Sequence, residues 1–236
     1  MTNIIKFHLV QDFPDTLVLP PLPSKKLIPE WFKKIPPYNE DDWTVKKCVP
    51  FIDAMGAGYT LLTHIDIVLY QTPEKEVRIW HSDDKMKELY QRWPPIETHP
   101  AKQFPNSPMT GYSMIKYMSP WIIETPPGYS TLFLPPLNRL DLPIVPVVGL
   151  VDTDSYFNQV NIPFIHTHME PDEKKHLIPA GTPMCQVIPF KREEWKSEYT
   201  WMEKEPLDKQ LVERESVQAN RVDWYKREAH HRKKYV

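Results

Sequence analysis

Between positions 121 and 192 the chain runs as short apolar stretches rich in β-branched residues, broken by polar inserts that carry Pro or Gly. Three inserts stand out: Pro126-Pro127-Gly128-Tyr129, the polar run Asp152-Thr153-Asp154-Ser155-Tyr156 after Gly149, and Pro179-Ala180-Gly181-Thr182-Pro183 before Gln186. This punctuation predicts antiparallel strands, with Asp152 in a turn between two of them. Upstream, residues 59–70 are strand-like and 77–81 alternate around a polar connection, so 51–82 reads as a hairpin region. Gly56 and Gly58 mark a tight turn there. Residues 4–10 supply one more strand. Helical spacing is confined to three places. Met86, Leu89 and Tyr90 predict a short helix over 84–93, stopped by Pro94 and Pro95. Pro29 opens one helical turn over 28–34. Residues 207–235 hold no Pro or Gly and carry a partial stripe through Leu207, Leu211, Val222 and Tyr225. Residues 83–120 are less regular as a whole, and the segment after Pro95 through Tyr112 is loop-like.

Composition sharpens this picture. The chain has 236 residues, 27 of them proline and only six glycine. Proline is thus over twice its usual share of about 5%. Because proline removes a backbone donor, short strands, extended connections and few helices are expected. The prolines are interleaved with aromatic residues, including eight Trp and eleven Tyr, which is core and interface material rather than a disordered composition. Residues 1–50, with Trp31 and Phe32 as an anchor, read as an extended arm. It packs on its own domain or reaches a neighbouring subunit. Residues 51–195 read as the β domain, and 196–236 as a helical tail.

Charge is nearly balanced, 29 basic against 31 acidic residues, so no global field favours nucleic acid or an acidic membrane. The mainly basic end, 226–234, suits the C-terminus of a helix or an acidic partner. Cys48 and Cys185 lie far apart and outside any CxxC, so cytosolic thiols are expected rather than a disulfide framework. Neither a signal-peptide layout nor a membrane-length apolar run is present. The expected location is a cytoplasm.

The phrases around Asp152 carry a resemblance. Gly149-Leu150-Val151-Asp152-Thr153-Asp154-Ser155-Tyr156 resembles the third motif of trimeric dUTP pyrophosphatases. Ile178 to Val187, with Gly181 and Gln186, is similar to the Gly-and-Gln strand that follows in those enzymes, and Pro126 to Pro135 resembles the turn and strand before their second motif. The order and spacing of all three agree over about 72 residues. The resemblance implies a β-clip barrel or sandwich, mainly β, with an extended N-terminal arm and a C-terminal helix. It implies Asp152 as the water-holding base, Tyr156 as a platform for deoxyribose, and Arg139, Asn138 and Gln186 near a deoxynucleotide. It also implies Mg as the ion bridging phosphates, and a homo-oligomer, a trimer by preference. The sequence departs from the pattern at Ser155, which is extra. At Pro135, the related dCTP deaminases carry a serine four places before the arginine matched by Arg139. More widely, Ile28-Pro29-Glu30-Trp31-Phe32, Cys48-Val49-Pro50-Phe51 and Pro135-Pro136-Leu137-Asn138-Arg139 resemble a family encoded mainly by tailed bacteriophages, especially those of cyanobacteria. That implies a viral origin, with a host cytoplasm or a virion as the location, and leaves the activity open.

Two other constellations bear chemistry. His166, His168 and Glu170 alternate, so a strand would place all three on one face as a two-histidine, one-carboxylate metal triad, with His176 nearby. The phrase is similar to part of a cupin motif. His81-Ser82-Asp83 matches the short HxD phrase of iron- and 2-oxoglutarate-dependent oxygenases. Three function classes follow. One is a protein that binds, and in the fuller form hydrolyses, a deoxynucleotide. Another is a non-enzymatic virion component, host-interaction protein or nucleotide-sequestering factor. The third is a cupin-like metal-dependent enzyme.

Overall fold

Antiparallel pairing organises the chain. The computed structural model describes residues 3–10, 18–40, 42–71, 77–80, 87–99, 103, 114–167, 175–219 and 223–236. The strands near the N-terminus are β1 (Lys6–Leu9), β2 (Leu22–Pro23), β3 (Tyr38–Asn39), β4 (Asp42–Trp43), β5 (Tyr59–Leu62), β6 (Ile67–Gln71), β7 (Val77–Trp80) and β8 (Ile96–His99). Then come β9 (Met114–Glu124), β10 (Tyr129–Leu134), β11 (Ile144–Pro146), β12 (Gly149–Val151), β13 (Gln159–His166), β14 (Lys175–Ile178) and β15 (Pro183–Lys191). Four α-helices are described: α1 (Glu30–Lys34), α2 (Val49–Gly56), α3 (Lys87–Arg92) and α4 (Lys204–Ala219). The described chain is therefore mainly β, with a C-terminal helix.

One sheet has the order β1-β9-β13-β11, with β8 also on β9. A second has the order β12-β10-β15-β5-β2, and a third β14-β6-β7. Alternate residues of all three face one core. Ile115, Tyr117, Ile123, Ile162 and Phe164 come from the first sheet, Leu61, Phe133, Met184 and Val187 from the second, and Ile67, Leu69 and Ile178 from the third. Residues 3–10 and 18–40 lie on this body: β1 pairs with β9 and β2 with β5.

Prolines sit inside strands where the ladder tolerates them. Arg192 donates its backbone N–H to Gly128 O (2.8 Å), so the even-numbered residues of β15 bond to β10. Pro189 is odd-numbered and points the other way, past Val187, where the pairing with β5 ends. The missing N–H of Pro189 therefore removes no bond.

Four expectations change. Residues 59–70 do not make one strand, because β5 and β6 belong to different sheets. A corner at Thr63 separates them. Its N–H donates to Thr182 O (2.9 Å), its carbonyl accepts from Gly181 (2.8 Å), and Asp66 Oδ1 accepts from Ala180 N–H (2.7 Å). Residues 49–56, expected as the end of the arm and the start of the hairpin region, form α2, with Pro50 in its first turn where no donor is lost. The segment expected as loop through Tyr112 contains β8, which pairs with β9. Finally, the stripe over 207–235 is not helical to its end: α4 is described over Lys204–Ala219 and a wide helical turn over Tyr225–Ala229, but residues 230–236 are neither helix nor strand.

Among the described residues, no helix is long and apolar enough to cross a membrane.

Candidate functional site

The loop between β12 and β13 is built by its own polar residues. Asp152 O accepts from the N–H groups of Ser155 (3.1 Å) and Tyr156 (2.8 Å), closing one turn. Thr153 is buried, and its hydroxyl meets those of Thr125 (2.7 Å) and Thr131 (2.8 Å). This hydroxyl chain ties the loop to β10 and to the end of β9. With Thr153 turned inward, Asp152 and Asp154 are directed to the neighbouring turns.

Asp154 is the anchor. Its carboxylate accepts from the N–H of Gly128 (2.8 Å), in the turn before β10, and takes both terminal nitrogens of Arg192. The Arg192 guanidinium, and then the Gly128 N–H, hold this carboxyl down to about 2. Arg192 also donates to Tyr129 O (2.8 Å), Ser130 Oγ (3.0 Å) and Asp152 Oδ1 (3.3 Å). Ser130 Oγ donates to the same Asp152 oxygen at 2.6 Å. Asp152 is thus oriented through Oδ1, and among the described residues its Oδ2 accepts no hydrogen bond. Its side chain is 58% exposed.

Asp152 and Tyr156 line one open hollow of about 580 Å³, together with Leu150, Val160, Gln159 and Asn161. Leu150, Val151 and Val160 make part of the lining apolar, and beside them lie a carboxylate, a hydroxyl from Ser155, an aromatic ring and the amides of Asn161 and Gln159, the latter already donating through Nε2 to Ser119 O (2.9 Å). Among the described residues, the only cation in hydrogen-bond contact with Asp152 is Arg192, which is already engaged with Asp154.

The other residues expected at the site lie elsewhere in the chain's contact network. Arg139 donates to both oxygens of Asp141 (2.8 Å each) and to Leu27 O (3.1 Å). Its side chain is 12% exposed. Asn138 adopts φ +58 and donates to Phe51 O (3.1 Å). Gln186 is buried: its Oε1 accepts from Leu137 N–H (2.8 Å), and its Nε2 donates to the carbonyls of Ala54 (2.9 Å) and Ala57 (2.5 Å). These three side chains fasten the loop after β10 onto α2 and the segment before it. Another hollow, about 320 Å³ and largely apolar, opens beside Leu137, Leu140, Leu142 and Val145.

His166 and His176 face each other with ring centroids 4.4 Å apart. His168, Glu170, His81, Ser82 and Asp83 lie outside the described residues. Among the described residues, no group of three or more His, Cys, Asp or Glu side chains is placed to hold a metal ion. Cys185 is buried, and burial pushes its thiol up to about 12, so it packs rather than reacts.

Sequence reading missed Ser130, Asp154 and Arg192 as members of the site. One signal was available: two carboxylates one residue apart need a cation, and Arg192 directly follows the last strand of the same block. Nothing local said which of several cations it would be.

No family model matches the chain, and no curated protein matches it. Among solved structures, it is similar to a mutant dUTPase of Staphylococcus bacteriophage 80alpha with dUpNHpp, at TM-score 0.40 and 12% identity over 86% of this chain and 90% of that one. It is also similar to a mutant dUTPase from phage phi11 of S. aureus, described with a structural Mg(II) ion, at TM-score 0.39 and 12% identity over 86% and 98%. A third is the Staphylococcus bacteriophage 80alpha dUTPase itself, at TM-score 0.38 and 12% identity over 85% and 97%.

Proposed function

We propose that the chain is a phage-encoded, dUTP-pyrophosphatase-like protein that binds a deoxynucleotide at the hollow of Asp152 and Tyr156. The observation that carries this reading is that one loop brings both side chains to a single hollow, with the carboxylate already oriented. The motif order in the sequence supports it independently. In this reading the Tyr156 ring packs on the sugar, and the amides of Gln159 and Asn161 face the base. Asp152 Oδ2 holds a water. That water attacks the α-phosphorus, its proton passes to Asp152, and the bond to the bridging oxygen breaks to release pyrophosphate.

The phosphates need positive charge that the hollow does not supply. Mg²⁺ arriving as the nucleotide's counter-ion is one source, since the described residues form no metal cluster of their own. A cation from a neighbouring subunit of a homo-oligomer, a trimer in this reading, is the other. Arg139, Asn138 and Gln186 enter as supports of the fold around the site. The place of action is the host cytoplasm or the virion.

A second reading, a virion or host-interaction protein without catalysis, is favoured by the exposed aromatic stretch after β15, where Trp195, Tyr199 and Trp201 are 88–97% exposed.

Calorimetry with a panel of deoxynucleotides, followed by a pyrophosphate-release assay, tests the proposal. The expected result is binding of at least one deoxynucleotide, weakened by Tyr156→Ala. Asp152→Asn should retain binding and lose roughly a hundredfold to ten-thousandfold in rate. Binding without pyrophosphate release identifies a sequestering protein. Absence of binding to every nucleotide rejects the reading and leaves the interaction protein.

A further inference from the structure

A bulge beside the hollow of Asp152 and Tyr156 fixes one of its polar groups. On β13, Gln159 and Asn161 are two residues apart, but their partners on β9, Ile122 and Met118, are four apart. Ser119, Pro120 and Trp121 of β9 therefore stand opposite Val160 alone. A bulge of this kind interrupts the ladder and leaves backbone groups to find other partners. Ser119 is buried, and its carbonyl takes the side-chain amide of Gln159, with Nε2 donating at 2.9 Å. A carbonyl oxygen only accepts, so the NH2 end of Gln159 faces Ser119 and the Oε1 end faces away from it. The backbone of the same residue is pinned as well, its N–H donating to Asn158 Oδ1 (2.8 Å). Among the described residues, Gln159 Oε1 accepts no hydrogen bond, and Gln159 lines the hollow. The hollow thus holds an acceptor whose direction is set before any ligand arrives. Asn161 lies two residues on, so it shares a face of β13 with Gln159, about 7 Å along the strand. It lines the same hollow, is exposed, and is free to turn its NH2 group toward a ligand as a donor.

We propose that the hollow selects a base with an exocyclic amine next to an unprotonated ring nitrogen on its edge away from the sugar, as cytosine and adenine have. The inference rests on the nucleotide reading above and adds the class of base to it. The amine donates to Gln159 Oε1, and the ring nitrogen accepts from Asn161 Nδ2. This is the pairing by which a side-chain amide reads the amine and ring nitrogen of adenine. At about 580 Å³ the hollow admits a purine as well as a pyrimidine. Uracil, the base in the name of the enzymes the chain resembles, is the poorer fit, and so is thymine. Their one edge N–H lies between two carbonyl oxygens. When that N–H meets Gln159 Oε1, Asn161 can donate to one of the carbonyls, and the other is left beside an acceptor. An unpaired polar group of this kind weakens binding.

Calorimetric titration of the full chain with the α,β-imido analogues of dCTP, dATP, dUTP and dTTP, in the presence of Mg²⁺, tests this without turnover. The dCTP analogue, the dATP analogue or both should bind roughly tenfold or more tighter than the other two. The separate cytosine and adenine arms tell which base supplies the amine. Gln159→Met keeps the length of the side chain but removes the oriented acceptor, and should level the four affinities. Asn161→Asp replaces the donor with a carboxylate at an exposed position, so the fold should be kept. It should erase the preference, because the ring nitrogen then faces an acceptor. The ratio among four ligands is the readout, since a purely structural effect weakens all four alike. If Gln159→Met does not fold, with Ser119 O left unpaired, Asn161→Asp decides the matter. Equal binding of the four analogues by the parent, or tighter binding of the uracil or thymine analogue, overturns the inference and leaves the nucleotide site standing. A preference that survives the substitutions overturns it too. Binding of none of the four rejects the nucleotide reading itself, and the class of base with it.

Discussion

Single residues show how tightly this fold is pinned by polar groups. Gln186 sits at the centre of β15 with its amide committed to three backbone partners from α2, the residue after it and the loop after β10. Gln186→Leu keeps the volume but strands the Leu137 N–H and the Ala57 carbonyl, and leaves Ala54 O only the longer bond from Ala57 N–H (3.4 Å). It should cost ~3 kcal/mol or more, measured by urea denaturation. Gly58 is fixed by space: at φ +61, an added Cβ would lie 2.1 Å from Val187 O. Gly128 has a similar conformation, φ +85, but open space around it. Gly128→Ala should therefore cost only the left-handed strain, about 1–2 kcal/mol, and Gly58→Ala clearly more, because β5 must also move off β15.

At the level of elements, the terminal segment 223–236 is a latch on α2 and β5. Its polar hold is the pair of His230 and Lys233 on Asp53, with the Lys233 side chain half exposed. Exposed ion pairs of this kind contribute little, so Asp53→Asn should change global stability by less than ~1 kcal/mol. Locally the effect should be larger. Amide hydrogen exchange at Tyr225–Ala229 should speed up while β9 and β13 stay protected, because a segment with few buried contacts opens independently of the core. Unchanged exchange in that turn would show that the contacts of Tyr59 with Tyr235 and Val236 hold the latch alone.

For the whole molecule, two groups mark the response to acid most clearly, beside the lowered carboxyls of Asp53, Glu124 and Asp141. His64 lies in the corner after β5, 8% exposed, and shares a 2.6 Å hydrogen bond with buried Tyr117. Burial pushes its imidazole down from 6.5 to about 4. In the unfolded chain this histidine takes up a proton near pH 6.5 while in the folded chain it stays neutral. Its contribution is thus complete above pH 6.5 and lost as pH falls toward about 4, a loss of about 3 kcal/mol. Asp154 titrates from 3.8 unfolded to about 2 folded, so its contribution is complete above about pH 4 and lost below it. Stability should therefore fall in two stages on acidification. Denaturant midpoints measured from pH 8 to pH 2 test this: His64→Phe should flatten the first stage, and Arg192→Ala the second.

What the sequence determines here is local. Alternation and Pro or Gly punctuation place the strands between 121 and 192, the turn at Asp152 and the stop at Pro94, because side-chain period and backbone restriction act within a few residues. The pairing of Asp152 with Tyr156 is legible for the same reason, since one turn carries both. Other features needed the assembled chain. Residues 59–70 look like one strand until the turn at 179–182, over a hundred positions away, captures Thr63 and divides them between sheets. Arg192 has the same local pattern as other cations beside a strand, and only the approach of β15 to β10 brings it to Asp154. Gln186 and Arg139 read as ligand-facing residues, but packing against α2 and Leu27 commits their hydrogen bonds to the protein's own backbone. The difference is physical: periodicity is written in neighbours along the chain, whereas a buried polar group takes whichever partner the folded sheets place within three ångströms.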